Sequence, residues 1–315
     1  MISSSIDTEE KLALGRKILK FKLPFRKDLL YDNKITFGFE IEFCYARFLQ
    51  VRDEIDEHNL TNWKAYNEPT VQVKDKYDRT RGGEVISPIL RGKKPNWNEL
   101  EKICDLIKFC LGEVNDKTAG HIHIGSQIFK NDKQKLTNFL LLWAIFEDTI
   151  KQFFYGEFIQ GDFFNRLAPD CQEEFSVANY DFEKLQELRN NKSRDLKFYS
   201  VNFKDYKSPY EEKNNTVEFR AICGTLEPEI WQNNLNFLIH FIDWTNNITS
   251  KDLKFVKNQK FLNSHNQTEN KFDKALFLAN SIFTKEIDKM CFLKQYFKDF
   301  YQKDATIERV KLINH

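Results

Sequence analysis

Three short stretches of this 315-residue chain alternate between apolar and polar residues, and each carries two ionisable side chains two positions apart. Thr36–Phe43 reads Thr-Phe-Gly-Phe-Glu-Ile-Glu-Phe, Ala119–Gly125 reads Ala-Gly-His-Ile-His-Ile-Gly, and Thr216–Thr225 reads Thr-Val-Glu-Phe-Arg-Ala-Ile-Cys-Gly-Thr. Side chains of an extended strand point alternately to its two faces. Phe37, Phe39, Ile41 and Phe43 therefore share one face, and Gly38, Glu40 and Glu42 the other. His121 and His123 face away from Ile122 and Ile124. In the third stretch Val217, Phe219 and Ala221 take one side, while Thr216, Glu218, Arg220 and Ile222 take the other. Glu218 and Arg220 then stand about 7 Å apart along one face. The period of two makes these β-strands with one apolar side. The charges on the other side need a reason, because burying charge is costly unless it is paired or bound to an ion.

Each stretch taken alone has an ordinary explanation: a structural ion pair, a solvated edge-strand face, a core histidine. Two further stretches add to the pattern. In Arg81-Gly-Gly-Glu-Val-Ile-Ser-Pro, Gly82 and Gly83 allow a tight backbone, Glu84 precedes two β-branched residues, and Pro88 ends or edges the strand. Phe198–Phe203 reads as a strand bearing Asn202, antiparallel to the one from Thr216. An antiparallel sheet with helices behind it would gather all these polar groups on its open face. Adjacent glutamates repel, and a divalent cation with oxygen ligands relieves that repulsion. Carboxylates, imidazoles and an Arg together suit a Mg-nucleotide site, where the metal and Arg neutralise phosphate oxygens. Zinc would call for more His, Cys or carboxylate ligands.

The rest of the chain reads as a scaffold. Apolar stripes at helical spacing predict helices over Pro95 to Leu111, with Asn96 as N-cap, Lys133 to Phe154 and Glu227 to Asn247, and Tyr180 to Asn191 reads as a charged helix. Val71 to Lys76 reads as a strand and Gly156 to Asn179 as loop-rich. The expected fold is α+β, an antiparallel catalytic sheet with helices packed on one face and a helical C-terminal region. Residues 1–33 form an N-terminal helix and linker with a solvated basic face, 34–249 the catalytic domain, and 250–315 a helical extension packed on it. Apolar residues make up 41%, including 30 Phe, enough for a large aromatic core. A net charge of +1 argues against a dedicated nucleic-acid binder. The six cysteines lack Cys-x-x-Cys spacing and read as free, mostly buried thiols of a reducing compartment. Met1 to Glu10 is polar and acidic, unlike a signal peptide, and the apolar run Phe139 to Phe146 is too short to span a bilayer. The expectation is a soluble, cytoplasmic protein. Neither a Gly-x-x-x-x-Gly-Lys loop nor a Gly-x-Gly-x-x-Gly fingerprint is present, so a bound nucleotide would be held by metal and Arg.

Gly38-Phe-Glu-Ile-Glu-Phe, Gly83-Glu-Val-Ile-Ser-Pro, Gly120-His-Ile-His-Ile-Gly, Ser200-Val-Asn-Phe and Thr216-Val-Glu-Phe-Arg with Gly224-Thr, in that order, resemble the motifs of the amidoligase enzymes. That family belongs to the carboxylate–amine ligase superfamily of glutamine synthetase, and the resemblance covers about Lys34 to Asn247. It implies a glutamine-synthetase-like catalytic domain that uses ATP to phosphorylate a carboxylate, which an amine or ammonia then attacks. Position by position, it implies that Glu40, Glu42, Glu84, His121 and Glu218 ligate Mg²⁺, with Mn²⁺ as an alternative. It places His123 nearer the nucleotide and Arg220 on the transferring phosphate, with Glu218 and Glu84 also catalytic. Asn202 and Arg81 are further candidates for nucleotide or substrate contact. The carboxylate partner would be a peptide, an amino acid or a protein tag, and a homo-oligomer would be in keeping with the superfamily. One departure stands out. The Asp-Gly-Ser-like element common before Glu-Val-x-Ser-Pro is absent; the region reads Lys74-Asp-Lys-Tyr-Asp-Arg-Thr-Arg, leaving Asp75 or Asp78 as substitutes.

Two other readings fit the same residues. One is a nucleotide-binding regulatory protein without turnover, favoured by the missing element. The other is a hydrolase using His121, His123 and the carboxylates on Zn²⁺ or Mn²⁺ to make a metal-bound hydroxide. A full set of carboxylates together with Arg220 favours the ligase.

Overall fold

The structure, a computed structural model, describes residues 8–74, 77, 79–130, 132–155, 171–191, 200–206, 215–259 and 271–298. Its centre is an antiparallel sheet. Strand β1 (Phe37–Cys44) lies between β4 (Thr80–Ile86) and β5 (Ala119–Gly125); β5 pairs onward with β7 (Thr216–Cys223), and β7 with β6 (Val201–Asn202). Both β2 (Lys64–Tyr66) and β3 (Val73–Lys74) pair with β4, which completes seven strands. The fold is α+β, as expected, and the β6–β7 pair is antiparallel, as expected.

The register sets which side chains meet. Glu42 lies opposite Glu84, Glu40 opposite His121, Gly38 opposite His123, His123 opposite Glu218, and Glu218 opposite Asn202. Partners directly opposite in an antiparallel pair share a face, so one side of the sheet collects every one of these groups. The other side is aromatic and covered by helices. Trp97 of α3 (Lys94–Phe109) stacks on Phe37 with ring centres 5.6 Å apart. Trp143 of α4 (Lys133–Tyr155) packs on Phe219 at 5.6 Å. Trp231 meets Phe39 edge-on at 5.4 Å from α7 (Pro228–Asn247). Before α7 in the chain come α5 (Cys171–Val177) and α6 (Phe182–Asn191). Buried Arg189 of α6 pairs with Glu174 of α5 at 2.9 Å and donates to the Val201 carbonyl, which fixes β6 in place.

Beyond the three tryptophan helices lies a further layer. Phe292 of α10 (Glu286–Tyr296) packs on Phe153 at 4.9 Å and on Phe237 at 5.6 Å, and Phe277 of α9 (Lys271–Ile282) stacks on Phe146. Helix α8 (Ser250–Lys257) opens on a reciprocal Thr249–Asp252 cap. The N-terminal segment after α1 (Thr8–Lys20) is more than a solvated linker. Arg26 pairs with Asp288 at 2.7 Å, Gln232 bonds the Arg26 backbone at both N–H and carbonyl, and Lys294 donates to the carbonyls of Ile18 and Leu19. Helix α2 (Phe48–Glu57) completes the described helices.

Several boundaries differ from expectation. Alternation in β7 fails after Arg220, because a bulge sets Arg220 and Ala221 against His121 and brings Ile222 opposite Gly120. Gly120 faces Trp231, so Ile222 joins the apolar side instead of sharing a face with Glu218. The N-cap of α3 is Lys93, and Asn96 sits in the first turn, its Nδ2 donating to the Arg91 carbonyl; Pro95 suits an early helical position and moves the start back. The stretch read as loop-rich contains α5, anchored by buried Phe175. Among the described residues strand β3 covers Val73–Lys74 and β6 Val201–Asn202. Asp75, Asp78, Phe198, the part of the loop-rich stretch before Cys171 and residues 207–214 lie outside the described residues. Cys44, Cys104, Cys110, Cys223 and Cys291 are free and buried, as expected. No described helix is long and apolar enough to cross a membrane.

Gly120 has a packing reason that its motif conceals. A Cβ there would come within 2.3 Å of the Trp231 ring. Gly120→Ala should destabilise the protein by about 1–3 kcal/mol through overpacking, measured by urea denaturation; an unchanged midpoint would show that Trp231 is loosely seated.

Candidate active site

Glu40 is the hub of the polar face. One of its oxygens lies 2.6 Å from His121 Nδ1 and the other 2.9 Å from His123 Nε2. Buried His121 also lies 3.7 Å from Glu218 and, through Nε2, 3.8 Å from Glu42. His123 is 4.0 Å from Glu218, and its Nδ1 faces Thr216 Oγ1 at 3.4 Å. Glu218 is the second hub. It accepts from Asn202 Nδ2 at 2.8 Å and from Arg220 Nη1. Asn202 is itself oriented by the Lys204 N–H, 2.9 Å from its Oδ1. Glu42, buried, accepts from the Ala119 N–H at 2.6 Å.

Eight of the nine expected residues therefore come together: Glu40, Glu42, Glu84, His121, His123, Asn202, Glu218 and Arg220. Arg81 does not join them by register. It lies opposite Val73 on the outer strand, separated from Glu84 by Gly82 with its φ of +135°.

The charges act on one another strongly. Burial works against the Glu40 carboxylate, but hydrogen bonds from both imidazoles, and their charge, outweigh it and hold the group well below the usual carboxylate range. Burial likewise opposes charge on His123, and Glu40 and Glu218 overcome it and raise the imidazole. Glu42 is pushed up by burial, against the pull of His121 and the Ala119 N–H. For Glu84 the charge of His121 helps, but too little. Burial, then the charges of Glu40, Glu68 and Glu42, push it to about 7. Glu68 is a carboxylate that sequence reasoning missed, since the polar stretch around it has no periodicity to place it. Tyr155, at the end of α4, was also missed. Burial raises its phenol well above the usual range, with Cys223 and Glu42 adding and Arg220 opposing; in the sequence it closes an apolar helix and looks like core.

The residues fit a divalent cation on two counts. Glu40, His123 and Glu218 each offer a ligand atom, and these lie within 4.8 Å of one another. The carboxylates around them repel one another, as the position of Glu84 shows. For an anionic ligand the fit comes from Arg220, whose Nε is buried without a hydrogen-bond partner; such an orphaned donor is rare and costly unless a ligand oxygen meets it. A cavity of about 640 Å³ opens beside the cluster, reaching it at Gly38, Glu40 and His123.

A family model described as "Putative amidoligase enzyme" matches residues 49–242. The match takes in Glu84, both histidines, Asn202, Glu218 and Arg220, and begins after β1 with its Glu40 and Glu42. No curated protein matches the chain.

The position of Glu84 gives a pH test. Its carboxyl is harder to ionise when folded, so its cost to stability is nil below about 4.5, where it is protonated in both states. The cost grows as pH rises towards 7 and is full above it. In EDTA at pH 8, Glu84→Gln should melt above the parent, and the gap should close at pH 5. A variant that melts below the parent at pH 8 would show that the ionised carboxylate is stabilising, contrary to this reading.

Proposed function

The chain belongs to the amidoligase enzyme family, and from that premise we propose that it is an ATP-dependent carboxylate–amine ligase. On this reading it forms an amide through an acyl phosphate on a glutamine-synthetase-like sheet, joining a peptide, amino acid or protein-tag carboxylate to an amine or ammonia. The observation that carries the reading is the convergence of Glu40, His123 and Glu218 beside an Arg220 whose Nε lacks a partner.

Glu40, Glu42, Glu84, His121 and Glu218 would hold Mg²⁺ or Mn²⁺. When bound, the cation supplies neutralising charge to phosphate oxygens. His123, held by Glu40 and facing Thr216, would meet the nucleotide at the mouth of the cavity, with Asn202 as a further candidate contact; Arg81, on the outer strand, is not placed to join them. Arg220 would turn its free N–H towards the transferring phosphoryl group, kept in place by its bond to Glu218. Glu218 thus has two duties, as ligand and as the positioner of Arg220. The β7 bulge matters here, because it follows Arg220 immediately and lets that side chain stay on the polar face while the strand returns to core packing.

Glu218→Gln should keep the fold, since it conserves volume and the Asn202 contact, yet abolish ADP release from Mg-ATP with any active carboxylate–amine pair. Arg220→Lys should lower kcat by about 10²-fold or more, because Lys lacks the planar fork that meets two oxygens. Turnover of Glu218→Gln near the parental rate would sink the site assignment. A fully active Arg220→Lys would reduce Arg220 to a point charge.

A further inference from the structure

The cavity beside His123 carries two charged side chains that the metal cluster does not use. Arg91 and Asp205 both line it, both are half-buried, and among the described residues neither side chain has a hydrogen-bond or ion-pair partner. Asp205 does exert its charge on His123. A half-buried charge without a partner is costly to keep, and here a cation and an anion are kept in one cavity without neutralising each other.

Their places follow from the register. Leu90 bridges to Phe37, so Arg91 lies next to Thr36. The Thr36 carbonyl accepts from Gly125, Gly125 lies opposite Thr216, and Thr216 donates to the Asp205 carbonyl. The two residues therefore sit four strand spacings apart, about 19 Å between backbones, and their side chains close part of that gap. A free α-amino acid carries its charges on one carbon and cannot reach both. An extended peptide of two or three residues spans about 7–10 Å. A nucleotide brings no cation for Asp205. Between the charges lie Thr36, Gly125 and Thr216, while Ile86, Pro88 and Ile89 give the cavity an apolar side on the Arg91 flank and Gly38 lies next to Glu40.

We infer that this cavity binds an extended zwitterion of peptide size, its carboxylate on Arg91 and its ammonium on Asp205, as one of the two substrates to be joined. The inference rests on the ligase reading for the word substrate, but the binding itself does not. Pinned at both ends, such a ligand runs over Thr36, Gly125 and Thr216, two residues along the strands from Gly38 and His123, so a side chain branching from its middle is the part best placed to reach towards Glu40. Arg91 and Asp205 are then the residues that set specificity for free termini.

The test uses a mixture of Gly-X-Gly tripeptides with free termini, the same mixture N-acetylated or C-amidated, and AMP, followed by saturation-transfer NMR on the full chain. The free mixture should bind, and either block should weaken binding about tenfold or more, the loss expected for one charge-assisted contact. Arg91→Gln should no longer distinguish acid from amide, and Asp205→Asn should no longer distinguish amine from acetyl. Failure of the free mixture to bind, or equal binding of blocked and free forms, would overturn the proposal. So would AMP binding that both substitutions weaken with no peptide binding, which would make the cavity a nucleoside pocket. Mg-ATP binding to the parent is read separately; its absence would remove the ligase reading and leave the peptide result standing on its own.

Discussion

Everything on the polar side of the sheet follows from carboxylates that the strand register forces together. Glu42 and Glu84 face each other across one strand pair, and Glu40 and Glu218 flank the two histidines across the next pairs. Such a face would be unstable without cations of some kind. Two imidazoles and one guanidinium supply part of the charge, and the way they share it is uneven. Glu40 is well served and Glu84 poorly, so the carboxylate charge of this face is only partly offset. On the proposed reading, the same imbalance that costs stability would favour a bound divalent cation.

The apolar side makes that face possible. Three tryptophans, one from each covering helix, press on Phe37, Phe39 and Phe219. Their packing fixes the strands on which Glu40, His123 and Glu218 converge. A rigid platform of this kind suits a site that must hold several like charges at short range, since any relaxation of the strands would let the carboxylates move apart. The bulge in β7 is where the two requirements meet, with Arg220 kept on the charged side and Ile222 returned to the core.

Much of this was legible in the sequence because a strand advertises its faces in its alternation. Glu40, Glu42, His121, His123 and Glu218 could be assigned to one side from period two alone, and the aromatic side with them. Asn202 and Glu84 needed the motif order to join them. What remained hidden has a physical cause in each case. A bulge is one extra residue that leaves no mark in composition, so Ile222 was assigned to the wrong face. Glu68 and Asp205 lie in segments without periodicity, and Arg91 follows a proline turn that breaks the count. Tyr155 is polar by one atom at the end of an apolar helix. Lys294, Gln232 and Asp288 look like surface residues of helices, yet they are buried and hold the N-terminal segment, the first two by its backbone and Asp288 by the Arg26 guanidinium.

The central claim is a Mg-nucleotide site on the charged face, and the most direct measurement is the melting temperature of the full chain titrated with ATP, in Mg²⁺ and in EDTA. A ligand that binds only the folded state raises that temperature by mass action. The account predicts a rise that needs both ATP and Mg²⁺. A rise with Zn²⁺ or Mn²⁺ alone, and none with ATP, would contradict it and assign the cluster to metal-dependent hydrolysis.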